Sequence, residues 1–328
     1  MFGRIILALT AMLLGHCFLA DAQQAARVYR LGFVSSSSRD QSPRADAFRQ
    51  GLQELGYVEG KNIVIEYRYS QGQSDRLPAL VAELIRLKVD VIVTSGAPPV
   101  IYAAQQATRT IPIVMPGVVV DPVMAGFVAS LAKPGGNITG LTDIDSELHP
   151  KRLELLKQAF PAISRVAVLW PVPQQKQASK ELEATAGALK LQIHSVVVPR
   201  DSGIEGVEHG LTAIDKERPQ GLVIASSQSI NDHRPRIIDF TVSRRLPNIA
   251  AITSWTDAGG LMSYGANSRE TSRRAATYVD KILKGANPAE LPVERPKKFE
   301  LAISLKTAKQ IGVTIPQNVL SRADRVIK

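Results

Sequence analysis

Cysteine is all but missing: the 328-residue chain has one, Cys17. That excludes a disulfide-stapled scaffold and any zinc module built on thiolates. Aromatic residues are scarce at 5%, and both tryptophans, Trp170 and Trp255, lie in the second half of the chain. No apolar run beyond the first 22 residues is long and uninterrupted enough for a transmembrane helix. The first strand-to-helix turn lacks GxGxxG, and neither GxxxxGK[ST] nor GxSxG occurs, so dinucleotide, phosphate-loop and nucleophile-elbow chemistry have no signature here. His149, His194, His209 and His233 are far apart, without metal-ligand spacing. No catalytic residue, no metal site and no cofactor is therefore expected. Convergence of distant residues in space keeps an enzyme open as an alternative.

What is present is ordinary globular composition, 45% hydrophobic and 21% charged. At about 150 residues per domain the length predicts two domains. The one unusual figure is a net charge of +10, from 40 Lys+Arg against 30 Asp+Glu. It raises nucleic acid, membrane surfaces and anionic ligands as partners. The basic pairs Arg244-Arg245 and Arg273-Arg274 fall on predicted helices, and Lys297-Lys298 is too small a patch, so no nucleic-acid partner is expected. The first 22 residues read as a leader: Arg4, an apolar stretch too short to span a bilayer, then Ala20-Asp21-Ala22, with cleavage before Gln23. Cys17 is a poor lipoprotein site because His16 precedes it. The expectation is an exported, periplasmic protein.

From residue 28 onward strand and helix patterns alternate. Strands are predicted at 28–35, 62–69, 89–94 and 111–115, with helices between them, and a second series of strands at 165–170, 192–198, 221–225, 248–253 and 299–303. Helices are read near 146–160, 175–190, 202–216, 231–245, 269–284 and 305–311. Ser202 and Glu205 match a capping box. Right-handed crossovers turn such a pattern into α/β lobes with parallel, doubly wound sheets. Two such lobes place ligands beyond the carboxyl ends of their strands, in the cleft between them.

The residues at those ends are therefore the candidate ligand contacts. In the first lobe they are Ser35, Ser36, Ser95, Gly96, Ala97, Asp121 and Pro122; in the second, Trp170, Ser226, Ser227, Trp255 and Asp257. Hydroxyls and free backbone N–H groups near helix starts suit polar ligand groups, Asp121 an ammonium, and the two indoles apolar walls. Each serine can equally be a cap or turn residue, each tryptophan core, and Asp121 the cap of the following helix.

Several stretches carry a family resemblance: 47–85, IPIV at 111–114, DPV at 121–123, SLAKPGGNITGLT at 130–142, KRLELLK at 151–157, AGGLMSYG at 258–265, and 298–327. In this order they resemble the exported substrate-binding proteins of ABC transporters, in the family that includes tryptophan- and tyrosine-binding members. The resemblance implies a periplasmic binding fold of type I, two lobes joined by three crossovers, working as a monomer with a small-molecule ligand and a membrane permease. It implies a first lobe of 23–141 plus about 265–290, a second lobe of 142–264, and a segment, 291–328, that crosses the hinge and packs on the lobes. The first crossing is expected at 140–144, the return at 261–265, where Gly259-Gly260 and Gly265 would let the connector bend, and a third at 288–300. A ligand-binding subunit of a sensor system is the alternative reading. Where family members carry an asparagine-rich turn and a pair of aromatics, this chain has Trp170-Pro171-Val172-Pro173 and Ser226-Ser227-Gln228-Ser229. These departures imply a more polar floor and a smaller or more oxygenated ligand.

Overall fold

A computed structural model describes residues 27–38, 43–143, 145–171, 176–199, 202–296 and 298–328. The leader expected at 1–22, with Cys17, lies outside them. So do Val172, Pro173 and Lys297.

The chain begins with β1 (Tyr29–Ser35), α1 (Pro43–Glu54), β2 (Ile63–Tyr69), α2 (Leu77–Arg86), β3 (Val91–Thr94), α3 (Pro98–Ala107), β4 (Ile113–Val118) and β5 (Ile138–Thr142). Prolines at the starts of α2 and α3 cost no hydrogen bond, because the first helical N–H groups have no partner within the helix. The stripe Leu77, Leu80, Val81 and Leu84 faces inward because a 3.6-residue period returns these positions to one side. The strands form an all-parallel sheet in the order β2-β1-β3-β4-β5. β5 was not predicted; its five residues include Gly140 and follow a long loop, too weak a pattern to read as a strand.

The second sheet is built from α4 (His149–Ala159), β6 (Arg165–Trp170), α5 (Lys176–Ala188), β7 (Gln192–Val197), α6 (Gly203–Glu217), β8 (Gly221–Ile224), α7 (Gln228–Asp232), α8 (Arg234–Ser243), β9 (Asn248–Ala250), α9 (Ser254–Asp257) and β10 (Met262–Ala266). Then α10 (Ser268–Leu283) returns to the first lobe and packs on α1. The tail β11 (Phe299–Ser304), α11 (Leu305–Ile311), α12 (Gln317–Leu320) and β12 (Arg325–Ile327) completes the second lobe. The order is β12-β11-β10-β9-β8-β6-β7, parallel from β7 to β10, with β11 antiparallel to β10. The expected α/β architecture of two lobes is thus present. Among the described residues no helix is long and apolar enough to cross a membrane.

Local expectations fail for identifiable reasons. The helix expected at 231–245 is two helices broken at His233, because Pro235 has no N–H to donate and must sit in a first turn. Ser202 does not form the capping box: its backbone is already helical and its Oγ donates to Pro199 O at 2.7 Å. The segment 261–265, expected as a return that bends, lies mostly in β10, which pairs with β11 along its length and with β9 at Met262 and Ser263. Gly265 is there for space, since a Cβ would stand 1.8 Å from Ala251 O. The chain leaves this lobe at Asn267, whose side chain caps α10 and donates to Glu300 Oε1 at 3.0 Å.

Three connectors therefore join the lobes, each at the same end of both sheets. The first leaves the carboxyl end of β5, the second the carboxyl end of β10, and the third runs from Glu294, paired with Leu141, to the start of β11, which lies beside the end of β10. The carboxyl ends of the two parallel sets consequently face one another. Arg295 and Glu147 tie the third connector to the first at 3.0 Å.

Candidate functional site

Strand order reverses between β1 and β3 in one sheet and between β6 and β8 in the other, and at such points neighbouring crossovers diverge and leave a crevice. The first crevice gathers five of the predicted residues. Val34 is in register with Thr94, which sets Ser35 and Ser36 beside Ser95, Gly96 and Ala97. Ser35 Oγ lies 2.8 Å from Ser37 Oγ and accepts from Ser37 N–H, while Ser36 O accepts from Gly72 N–H at 2.6 Å. These contacts shape the β1 turn. Ser95 Oγ differs: it is enclosed and has no hydrogen-bond partner. Gly96 N–H donates to Thr94 Oγ1 at 3.3 Å, and Ala97 leads into α3 with its side chain making no cap.

The floor of this crevice contains residues the sequence reading did not single out. Arg44, in the first turn of α1, directs Nη1 to Pro116 O, Gly117 O and Ser95 O at 3.2, 3.4 and 3.5 Å. Burial pushes its pKa down, and the Asp143 carboxylate partly restores it. Two glycines make this approach possible. Gly96, at φ +81°, would carry a Cβ 2.6 Å from Gly117 O. Gly117, at φ +103° in a bulge of β4, would carry one 2.9 Å from both Asp143 Oδ2 and Thr271 Oγ1. The recoverable sequence signal was the pair of glycines at the ends of adjacent strands.

Asp121 has a structural role at its position. Its Oδ1 accepts from Val123 N–H and Met124 N–H at 2.8 and 3.2 Å and so caps the turn after β4. Pro122 is buried in the same turn, with its carbonyl accepting from Phe127 N–H.

The second crevice uses its predicted residues mainly as scaffold. Trp170 ends β6 but packs in the lobe core, with Nε1 donating to Ser195 Oγ at 3.2 Å and the His149 ring set edge-on at 4.8 Å. Trp255 is 1% exposed, in the core cluster on the other face of the sheet, and Nε1 donates to Asn231 Oδ1 at 2.9 Å. Neither indole is a cleft wall: β9 ends at Ala250, and the turn that follows swings Trp255 inward onto apolar side chains. Ser226 Oγ accepts from Asn231 Nδ2 at 3.1 Å, and Ser227 Oγ caps α7 through Ile230 N–H. Asp257 is exposed and pairs with Arg325 of β12 at 2.5 Å, at the sheet edge farthest from the switch point. Missed by the sequence reading were Arg152, fully buried and donating to Tyr264 O and Ala251 O, and Arg234, donating to Ser254 Oγ at 3.1 Å.

Facing crevices on two hinged α/β lobes define a class, the two-lobed proteins that bind a small molecule between their domains. Comparison with known proteins gives the family: the description "ABC transporter substrate binding protein" matches residues 28–327, and the chain belongs to that family. A tyrosine-binding protein of Clostridioides difficile is 26% identical over 266 residues, covering 81% of this chain and 75% of that protein. Among solved structures, a domain from Streptococcus pneumoniae in complex with L-Trp superposes with a TM-score of 0.82 at 24% identity, covering 92% of this chain and all of that one. A conserved domain protein from Vibrio cholerae gives 0.81 at 27% identity, again over 92% of this chain and all of that one.

Proposed function

We propose that this protein captures a small organic ligand in the interlobe cleft and delivers it, as a periplasmic monomer, to the permease of an ABC-type importer. The observation that carries the reading is the pairing of two switch-point crevices across three connectors that all attach at the cleft. The ligand docks on one lobe and the other closes over it; closure is favoured because the ligand gains contacts only the closed form makes. The permease then reads the closed arrangement of the rims. Ser95, Gly96 and Ala97 offer a hydroxyl and backbone groups from the first lobe, with Ser35, Ser36 and Pro122 shaping the rim. Ser226 and Ser227 line the opposing turn. The leader-like first 22 residues supply export.

Native mass spectrometry of the exported protein, released from cells without denaturation, tests this. A small molecule bound one to one, which on re-addition to the stripped protein compacts it in solution scattering, is the expected result. Chemical turnover of that molecule would overturn the reading in favour of an enzyme. Growth on it that does not depend on a neighbouring permease would favour the sensor.

A further inference from the structure

Positive charge gathers at the end of the second lobe that lies away from the cleft. The carboxyl ends of its parallel strands face the cleft, so their amino ends form the opposite pole. The neighbouring strands β9, β8, β6 and β7 bring four basic residues there in a row. Arg245 precedes β9, Arg218 precedes β8, Arg165 begins β6 and Lys190 precedes β7. With about 4.8 Å between neighbouring strands the row is roughly 14 Å long. Lys216 and Arg244 extend it, and all these cations are exposed. Among the described residues only Arg244 of this group is in an ion pair, with Asp215 at 2.6 Å. The carboxylate of Glu217 faces His194 instead, at 3.8 Å.

Three of the cations hold their places against the preference of the backbone. Lys190, Arg218 and Arg245 have φ of +55°, +46° and +50°. Each closes a helix end, its N–H donating to Gly187 O, Asp215 O and Val242 O respectively. A left-handed residue after a helix is ordinarily glycine, because a Cβ there crowds the following carbonyl. The first lobe follows that rule after α1 and α10, with Gly56 and Gly285, and has a lysine only after α2, at Lys88. The helix dipole favours a cation near this end but does not require it in the turn: Lys284 stands one position earlier and leaves the turn to Gly285. Among the described residues, none of the exposed large apolar side chains lies in the turns of the pole. A packed protein interface needs aromatic or apolar anchors, and a nucleic-acid strand needs stacking platforms. Charge without either suits a diffuse anionic surface.

We infer that this pole docks electrostatically on the face of an anionic phospholipid bilayer. The protein is then held at the membrane with its cleft, at the other end of the same strands, clear of the lipid. This goes beyond the capture reading and does not depend on it.

Sedimentation of the exported protein with phospholipid vesicles is the test. The expected result is attachment to phosphatidylcholine vesicles containing about 30 mol% phosphatidylglycerol, none to phosphatidylcholine alone, and release at about 0.5 M salt. Lys190→Gly combined with Arg218→Gly and Arg245→Gly removes three charges while giving each turn the residue it favours, so the denaturation midpoint should not fall. Attachment of this variant should weaken at least about tenfold. The same three positions changed to Asn, which also tolerates a left-handed turn, should weaken it alike. Lys61→Gln combined with Arg76→Gln and Lys133→Gln takes the same charge from exposed sites on the first lobe and should attach like the parent. The inference is overturned if the parent stays in solution, if it attaches equally to neutral vesicles or in high salt, if the Gly and Asn variants attach like the parent, or if the first-lobe variant loses as much. A single-stranded oligonucleotide that outcompetes the vesicles at low salt would overturn it in favour of nucleic acid.

Discussion

The two crevices have the same topology and are furnished in opposite ways. In the first lobe, glycines at the ends of β3 and β4 bring backbone close together, Arg44 occupies a cage of carbonyls, and Ser95 keeps an unused hydroxyl. In the second, the serines at the end of β8 serve as a cap and an acceptor, the tryptophans fill the core, and Arg234 keeps an unused N–H. Each lobe thus keeps an enclosed polar atom without a hydrogen-bond partner, the Ser95 hydroxyl in the first and Arg234 Nε in the second. A position beyond a parallel strand identifies where a ligand can sit; the local hydrogen-bond accounting decides which side chain is left to hold it.

Trp255 gives the largest expected effect on this contrast. If it is core, Trp255→Ala removes a fully buried indole and the donor to Asn231 Oδ1, costing about 3–5 kcal/mol of stability. Chemical denaturation should show that loss, and Trp255→Phe should lose less. A ligand wall would behave the other way: near-native stability with weakened ligand affinity. That outcome would return Trp255 to the cleft and undo the distinction between the lobes.

Gly117→Ala probes the first lobe. Its Cβ would press on the Asp143 carboxylate and Thr271 Oγ1 while the backbone stays at φ +103°. A strained backbone of this kind costs about 1–3 kcal/mol, read as a lowered denaturation midpoint. An unchanged midpoint would mean that the β4 bulge relaxes freely, and the first-lobe floor would lose its claim to rigidity.

Two serines separate the lobes more finely. Ser227→Ala deletes the cap of α7 and should cost about 1 kcal/mol, with little change in ligand affinity. Ser95→Ala deletes a hydroxyl with no partner, so stability should hold while affinity for the native ligand falls. If the two substitutions behave alike, the division between scaffold serines and a ligand-facing serine fails.

Much of the fold was legible because buried parallel strands are apolar throughout and the helices between them show clean stripes. The predicted 165–170 and 305–311 match β6 and α11 residue for residue. Short elements containing glycine, β5 and β10, were not, because their strand character comes from neighbours on both sides and not from local pattern. The site was legible as a set of strand ends but not as roles. A serine before a helix reads the same whether it caps, as Ser227 does, or stays free, as Ser95 does. Arg44, Arg152 and Arg234 were invisible because a helix-borne arginine looks like solvated surface until the carbonyls it approaches are known. Part of the +10 charge is thus carried inside the lobes, by Arg152, fully buried, and by Arg44 among backbone carbonyls.

The smallest effect concerns how the lobes are finished: the first by α10 and the strand-like 294 segment, the second by the tail strands β11 and β12. Lys298 and Asp324 clamp that tail at 2.7 Å, and Asp324 Oδ2 also accepts from Leu301 N–H at 2.9 Å. The Lys298 ammonium, and after it the Leu301 hydrogen bond, hold the Asp324 carboxyl below its usual range. A carboxylate with a folded pKa below its unfolded one, about 3.9, stabilises the fold fully above that value. The contribution is lost as pH falls through the lower, folded pKa. Asp324→Asn should therefore lower the thermal midpoint slightly at neutral pH, since the lysine is largely exposed and solvent screens the pair. The gap to the parent should narrow below about pH 4 and close at lower pH. A gap that stays constant down to acid pH would place the effect in the geometry of the Leu301 hydrogen bond and leave charge no part in closing the second lobe.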